Sequence, residues 1–149
     1  MRKLSFAALA AGLAACLALA LAACSSSTPY QPDTGRGGYA EQAISPDTVQ
    51  VSFHGSSATP ADLERDMLLY RCAEIARQQG YDTFQIIEAN FPLNVSYNIS
   101  ETHLGGDAHA LTVTIKMFHF GQGPQGSQVA QAADLLHTLG PRVNAARPS

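Results

Sequence analysis

Residues 59–80 read TPADLERDMLLYRCAEIARQQG, and residues 81–91 continue YDTFQIIEANF. The first run carries the marks of a helix start and stop. Thr59 suits the N-cap, Pro60 the first helical position, and Asp62 places negative charge in the first turn. Gly80 supplies a C-terminal stop, so the helix is expected to run to Gln79. Leu68, Leu69, Cys72, Ile75 and Ala76 form one apolar stripe at helical spacing. Leu63, Met67 and Tyr70 fall on a second flank, which needs cover from the N-terminal segment or from a partner. The second run, Asp82 to Phe91, is rich in strand formers and apolar on both sides near its centre, as an interior strand would be. Pro92 ends it by removing a ladder donor. A helix with one apolar stripe, feeding an interior strand, calls for a sheet with that helix laid on it.

Working outward, Val49, Val51 and Phe53 alternate with Thr48, Gln50 and Ser52, the pattern of a half-buried strand over Asp47 to His54. Downstream, Leu93, Val95, Tyr97 and Ile99 alternate with polar residues. Leu111, Val113, Ile115 and Met117 do the same after the turn signal Gly105-Gly106-Asp107, so these two strands read as a hairpin. A second helix is expected from Ser127 to Leu139, stopped by Gly140-Pro141. The order is β-α-β-β-β-α. Its economical solution is an α+β two-layer domain over residues 47–149, with a mostly antiparallel sheet of about four strands and both helices on one face.

The N-terminus has a different character. Met1-Arg2-Lys3 is basic, and no charge occurs from Leu4 to Ala23. A basic start, an apolar run and small residues at its end describe a secretory signal, although about 20 residues would also span a bilayer. Leu21-Ala22-Ala23-Cys24 resembles the lipobox of bacterial lipoproteins. That resemblance implies a diacylglyceryl group on Cys24, cleavage before it, and stable anchoring by two or three acyl chains. Leu13-Ala14-Ala15-Cys16 matches the same pattern, but cleavage there would leave an apolar stub. Cleavage before Cys24 releases Ser25-Ser26-Ser27-Thr28-Pro29. Residues 1–23 therefore read as signal peptide and 24–46 as lipidated cysteine and Pro/Gly/Ser-rich tether. Tyr30 and Tyr39 are unusual in a solvated linker and would make part of it a strap if they packed back. By resemblance, Ser25 after the cysteine points to the periplasmic leaflet of an outer membrane.

Removing Arg2 and Lys3 leaves seven basic residues against twelve acidic ones. No basic cluster exists, which argues against nucleic-acid binding and against electrostatic attachment to anionic lipid. A mature chain of about 125 residues suits one domain with a single core. With Cys16 removed and Cys24 alkylated, Cys72 stands alone on the long helix, where a buried, inert thiol is expected.

Several phrases together resemble a family of small proteobacterial envelope lipoproteins of unassigned function. They are Thr28-Pro29-Tyr30-Gln31-Pro32, Gly38-Tyr39, Val51-Ser52-Phe53-His54-Gly55, Leu68-Leu69-Tyr70-Arg71-Cys72-Ala73-Glu74 and Gly80-Tyr81-Asp82-Thr83-Phe84. The match spans roughly residues 24–91, with Ser56 where the family pattern leads one to look for Asn. It implies an envelope lipoprotein with an α+β domain and brings no catalytic residues.

Phosphate loops, Cys-x-x-Cys pairs, His-Glu-x-x-His helices and Gly-x-Ser-x-Gly elbows are absent from the sequence. The expected function is a non-catalytic component that binds or scaffolds an envelope protein or cell-wall material, attached to the membrane through its lipid and needing no cofactor beyond that lipid. Tyr70 and Arg71 with Tyr81 are its candidate partner surface, since Tyr and Arg favour interfaces. Arg71, Glu74 and Arg77 are expected to form a solvated ion-pair face. An alternative is a periplasmic metal-binding module, in which His103, Asp107 and His109 face one another across the hairpin turn. A cell-wall hydrolase assembled from Ser, His and Asp or Glu distant in sequence is a third reading.

Overall fold

A computed structural model describes residues 26–91, 110–124 and 129–148. The strands are β1 (Gly38–Ser45), β2 (Thr48–His54), β3 (Thr83–Ala89), β4 (Ala110–Phe118) and β5 (Val129–Gln131); the helices are α1 (Ala61–Gln78) and α2 (Ala132–Ala145). All five strands join one antiparallel sheet in the order β1-β2-β4-β3-β5. The α+β class and the single antiparallel sheet agree with the sequence pattern, and β3 is interior as its two-sided apolar run requires.

The count and order of strands differ from expectation. β1 lies inside the stretch read as tether, and β5 occupies the start of what reads as helix. Neither Gly-Tyr-Ala-Glu-Gln-Ala-Ile-Ser nor Val-Ala-Gln has the composition of a strand, and both are recruited by pairing with a stronger neighbour. Pro46-Asp47 is the turn between Ser45 and Thr48. The Asp47 carboxylate accepts from Ser45 Oγ (2.7 Å) and Thr48 Oγ1 (2.9 Å), which locks the connection. The expected strand over Leu93–Ile99 and its hairpin turn lie outside the described residues.

One sheet face carries Val49, Val51 and Phe53 of β2, Val113, Ile115 and Met117 of β4, and Phe84 of β3, all buried. Met67, Leu68, Cys72, Ile75 and Ala76 of α1 close onto them. Full burial of such a side chain stabilises by about 1.5–3 kcal/mol, so this layer carries most of the stability. The opposite face presents Gln50, Ser52, Thr112, Lys116 and Gln85 to water or partly so. A register shift between Ile86 and Glu88 leaves Ile87 exposed.

Both helix ends expected on Gly residues need comment. Gly80 does end α1: its φ of +84° is left-handed, and Tyr81 N donates back to Ala76 O at 2.8 Å. Gly140-Pro141, however, lies within α2. Pro141 forfeits the bond its missing N–H would give His137, a loss of about 3 kcal/mol in a helix interior. The extra turn recovers contacts: it buries Val143 and brings Arg142 onto Asp62 and Asp66, the latter at 2.6 Å. Gly140 is buried beside the Tyr70 ring, where a Cβ would make an ordinary contact at 3.7 Å.

Thr59 does not cap α1. Pro60 occupies that position without a side-chain bond. Thr59 Oγ1 instead accepts from Ser56 N (3.2 Å) and from Thr28 N (2.8 Å), a tie across 31 residues.

Candidate functional site

The residues singled out in sequence do not gather at one place. Tyr70 and Arg71 are only 8% and 9% exposed, so neither offers a free surface. Tyr81 lies beyond the C-terminal end of α1. The candidate metal ligands His103, Asp107 and His109, and the lipidation candidate Cys24, lie outside the described residues. Among the described residues no three His, Cys, Asp or Glu side chains are grouped as a metal site, and no helix is long and apolar enough to cross a membrane.

Tyr70 is covered by Tyr30 of residues 28–33, which run over the domain as a strap, and Arg71 by Tyr39 and Glu41 next in the chain. Tyr30, 3% exposed, stacks edge-on against Tyr70 (5.5 Å, 87°) and lies 4.9 Å from the Tyr39 ring. Its hydroxyl donates to Glu74 Oε2 at 2.6 Å, and its backbone N–H to Ala146 O at 2.9 Å. Arg71 donates from Nη1 to the same Glu74 oxygen (2.8 Å) and from Nε and Nη2 to Glu41 (3.2 and 3.0 Å). Its guanidinium also lies over the Tyr39 ring at 4.5 Å. Arg147 closes the far side, over Tyr30 at 4.9 Å and on Glu74 Oε1 at 3.2 Å. The cluster that reads as a solvated ion-pair face is thus a half-buried network, and every charge in it has a partner. Arg77 is outside it, paired with Asp82 (2.8 Å). Burial, then the bond to Glu74, drives the Tyr30 phenol pKa upward, so it stays a donor.

The loop after the strap is equally fixed. Asp33 N donates to Tyr39 O and Tyr39 N to Gln31 O, both at 2.8 Å. Gly38, at φ +130°, packs so closely that a Cβ would sit 2.3 Å from Gln31 O. Glycine here answers a close backbone approach and not a need for flexibility.

Two titratable groups mark the end of the domain where the strap begins. Asp33 Oδ2 accepts from His54 Nδ1 at 2.5 Å, and Oδ1 from Gly35 N at 2.8 Å. The Gly35 N–H, then His54, hold the Asp33 carboxyl below its usual range. An ionised Asp33 can only accept, which places a hydrogen on Nδ1 of the half-exposed His54 ring. The carboxylate orients the ring, and no described hydroxyl bonds Nε2. Beside it, the Glu64 carboxyl lies over Gly55, where any Cβ would fall 1.1 Å from Oε1. Burial pushes Glu64 up to about 7. Position 55 therefore admits only glycine while Glu64 stays inward. Cys72 is fully buried and its thiol is pushed upward by that burial, in keeping with an inert role.

The opposite end differs. Tyr81 stacks on His119 (4.8 Å, 28°), and its hydroxyl donates to Pro46 O at 3.3 Å. Phe120 projects next to them, 77% exposed, its backbone N–H held by Asp82 Oδ2 at 3.0 Å. A shallow cleft runs from Phe120 past Thr83 to Pro124 and Val129. Asp82 links the set: one oxygen fixes Phe120, the other takes Arg77. Of the candidate partner residues only Tyr81 belongs to this surface. His119 and Phe120 escape a sequence reading because a strand-end His-Phe looks like the continuation of an apolar alternation. Protein-family models, curated proteins and solved structures all lack a match to this chain.

Proposed function

We propose that this chain is a lipid-anchored protein of a bacterial cell envelope, held to the membrane through Cys24, that binds or scaffolds another envelope component without catalysing a reaction. The observation that supports it best is exposed Phe120 and His119, the latter stacked on half-buried Tyr81, at the end of the domain away from residue 26. A phenylalanine at 77% exposure is costly in water, and aromatic side chains on a fixed backbone are the usual anchors of binding surfaces. The cluster of Tyr30, Arg71, Glu74 and Arg147 is internally paired and holds the strap.

The test is crosslinked capture from native membranes, with the full-length protein, a Cys24→Ser control, and Phe120→Ser with Tyr81→Ala. One stoichiometric envelope partner is expected with the parent, reduced in the control and lost in the double variant. Undiminished capture by the double variant would remove this surface from the reading. No partner for correctly acylated parent would remove the adaptor role itself.

A further inference from the structure

The strap shortens the tether almost to nothing. Read as a free linker, residues 25–46 would give the domain a root-mean-square reach of about 26 Å from its anchor. In the structure Thr28 is already buried, and its N–H is bound to Thr59. Ser26 O accepts from Ser56 Oγ at 3.1 Å. Thr28 is four Cα-to-Cα steps from Cys24, so the covalent reach from the anchor to a fixed point on the domain is at most about 14 Å.

That fixed point lies at one end of the molecule. The Ser26–Ser56 contact adjoins the C-terminal end of β2 and the N-terminal end of α1, and the ends of β1, β3 and β4 at that side are set by the registers Gly38↔His54, His54↔Ala110 and Ala89↔Val113. The 18 residues of α1 then lead away over about 27 Å to Gly80 and Tyr81. Resting on the reading that Cys24 carries lipid, we infer that the end formed by Asp33, His54, Ser56, Ser57 and Pro60 lies against the bilayer headgroups, and that the domain stands on it with α1 pointing away from the membrane.

The composition of that end suits headgroup contact and not insertion. Ser57, Pro60 and Arg36 are exposed there, while Ile44 and Phe120 belong to the opposite end and Ile87 to the middle of β3. The Asp33 carboxylate is turned onto His54 and the Gly35 N–H, so its acceptor oxygens are engaged within the protein. A short leash of this kind excludes the inverted orientation, in which the Tyr81–Phe120 end alone meets the same bilayer, because the leash is half the length of α1.

The test uses full-length protein, purified from membranes with its acyl chains verified by mass, in vesicles of phosphatidylethanolamine and phosphatidylglycerol doped with a headgroup-nitroxide lipid. Bimane is attached at Ser57→Cys or at Gln79→Cys, both exposed positions, with the buried Cys72 thiol silent. Quenching at position 57 is expected to exceed that at 79 by about threefold or more, given the length of α1 between them. Inserting ten Gly/Ser residues after Cys24 adds about 17 Å of mean reach and should bring the ratio towards one. Equal quenching in the acylated parent overturns the apposed orientation while leaving the anchor intact. A protein whose mass lacks acyl chains overturns the anchoring reading and this inference with it.

Discussion

Glu64→Gln should make the domain more stable at neutral and alkaline pH, and leave it unchanged in acid. Glu64 is 8% exposed, sits in the first turn of α1 and is raised from 4.5 to about 7 by burial. No described group donates to its carboxylate. The folded state therefore holds a proton that the unfolded chain releases throughout the window from about 4.5 to about 7. In that window the native state binds more protons than the unfolded state, so stability falls as pH rises. The favourable contribution is complete below 4.5 and lost once pH passes 7. Two and a half pH units at 1.36 kcal/mol each set the size at about 3 kcal/mol. For a domain of this length that corresponds to roughly 10 °C in Tm. Glutamine keeps the shape without the titration. Urea unfolding is followed by far-UV circular dichroism, since the chain has no tryptophan. Parent and variant should coincide near pH 4.5 and separate progressively to pH 8. Other carboxylates, including Asp66, which burial also raises, are common to both proteins and cancel in the difference. A difference that is constant with pH, or a variant less stable at pH 8, would refute the assignment of a buried, unpaired carboxyl.

Gly55→Ala should force the Glu64 carboxyl outward, since Cβ would stand 1.1 Å from Oε1; the same pH series should then flatten, with an overall loss of about 1–3 kcal/mol from the displaced packing. Tyr30→Phe removes the donor to Glu74 and should cost about 1–2 kcal/mol in urea unfolding, because the acceptor is left among buried groups. Tyr30→Ala should cost about 3–5 kcal/mol and expose residues 33–38 to limited proteolysis that the parent resists. Cys72 should react with a maleimide only in step with global unfolding, so its labelling rate should track denaturant concentration; labelling of the native protein within minutes would contradict the closed core around it.

The helix α1 and the strands β2 and β4 were legible because each carries its own period, a stripe every three to four residues or an alternation, and β3 because it is apolar on both sides near its centre. Burial follows those patterns for most of the apolar residues, while Glu64, Arg71 and Thr114 are buried against them and Ile87 is exposed. β1 was not, since its exposed Ala40, Glu41 and Gln42 hold no apolar period and the strand exists through its ladder to β2. Pro141 illustrates the converse error, a strong local signal outweighed by Val143 in the core and Arg142 on two carboxylates. The glycines at 37 and 38 carry the signature of a flexible linker, yet they answer a backbone crowding that only three dimensions reveal. At the candidate surface, Tyr81 could be picked out as an aromatic after a helix stop. Its stacking partner His119 lies 38 residues away, and no local signal links the two.

The bond from Tyr30 N to Ala146 O joins the first described residues to the turn that follows α2. In a chain that emerges amino end first, the receptor for the strap therefore arrives after every other described element. Until α2 has emerged and packed, Tyr30 has no carbonyl to bind and no Arg147 to cover it. Docking of the strap therefore comes after the other described elements have packed. A bulky addition at the carboxyl end would disturb this order at its last step.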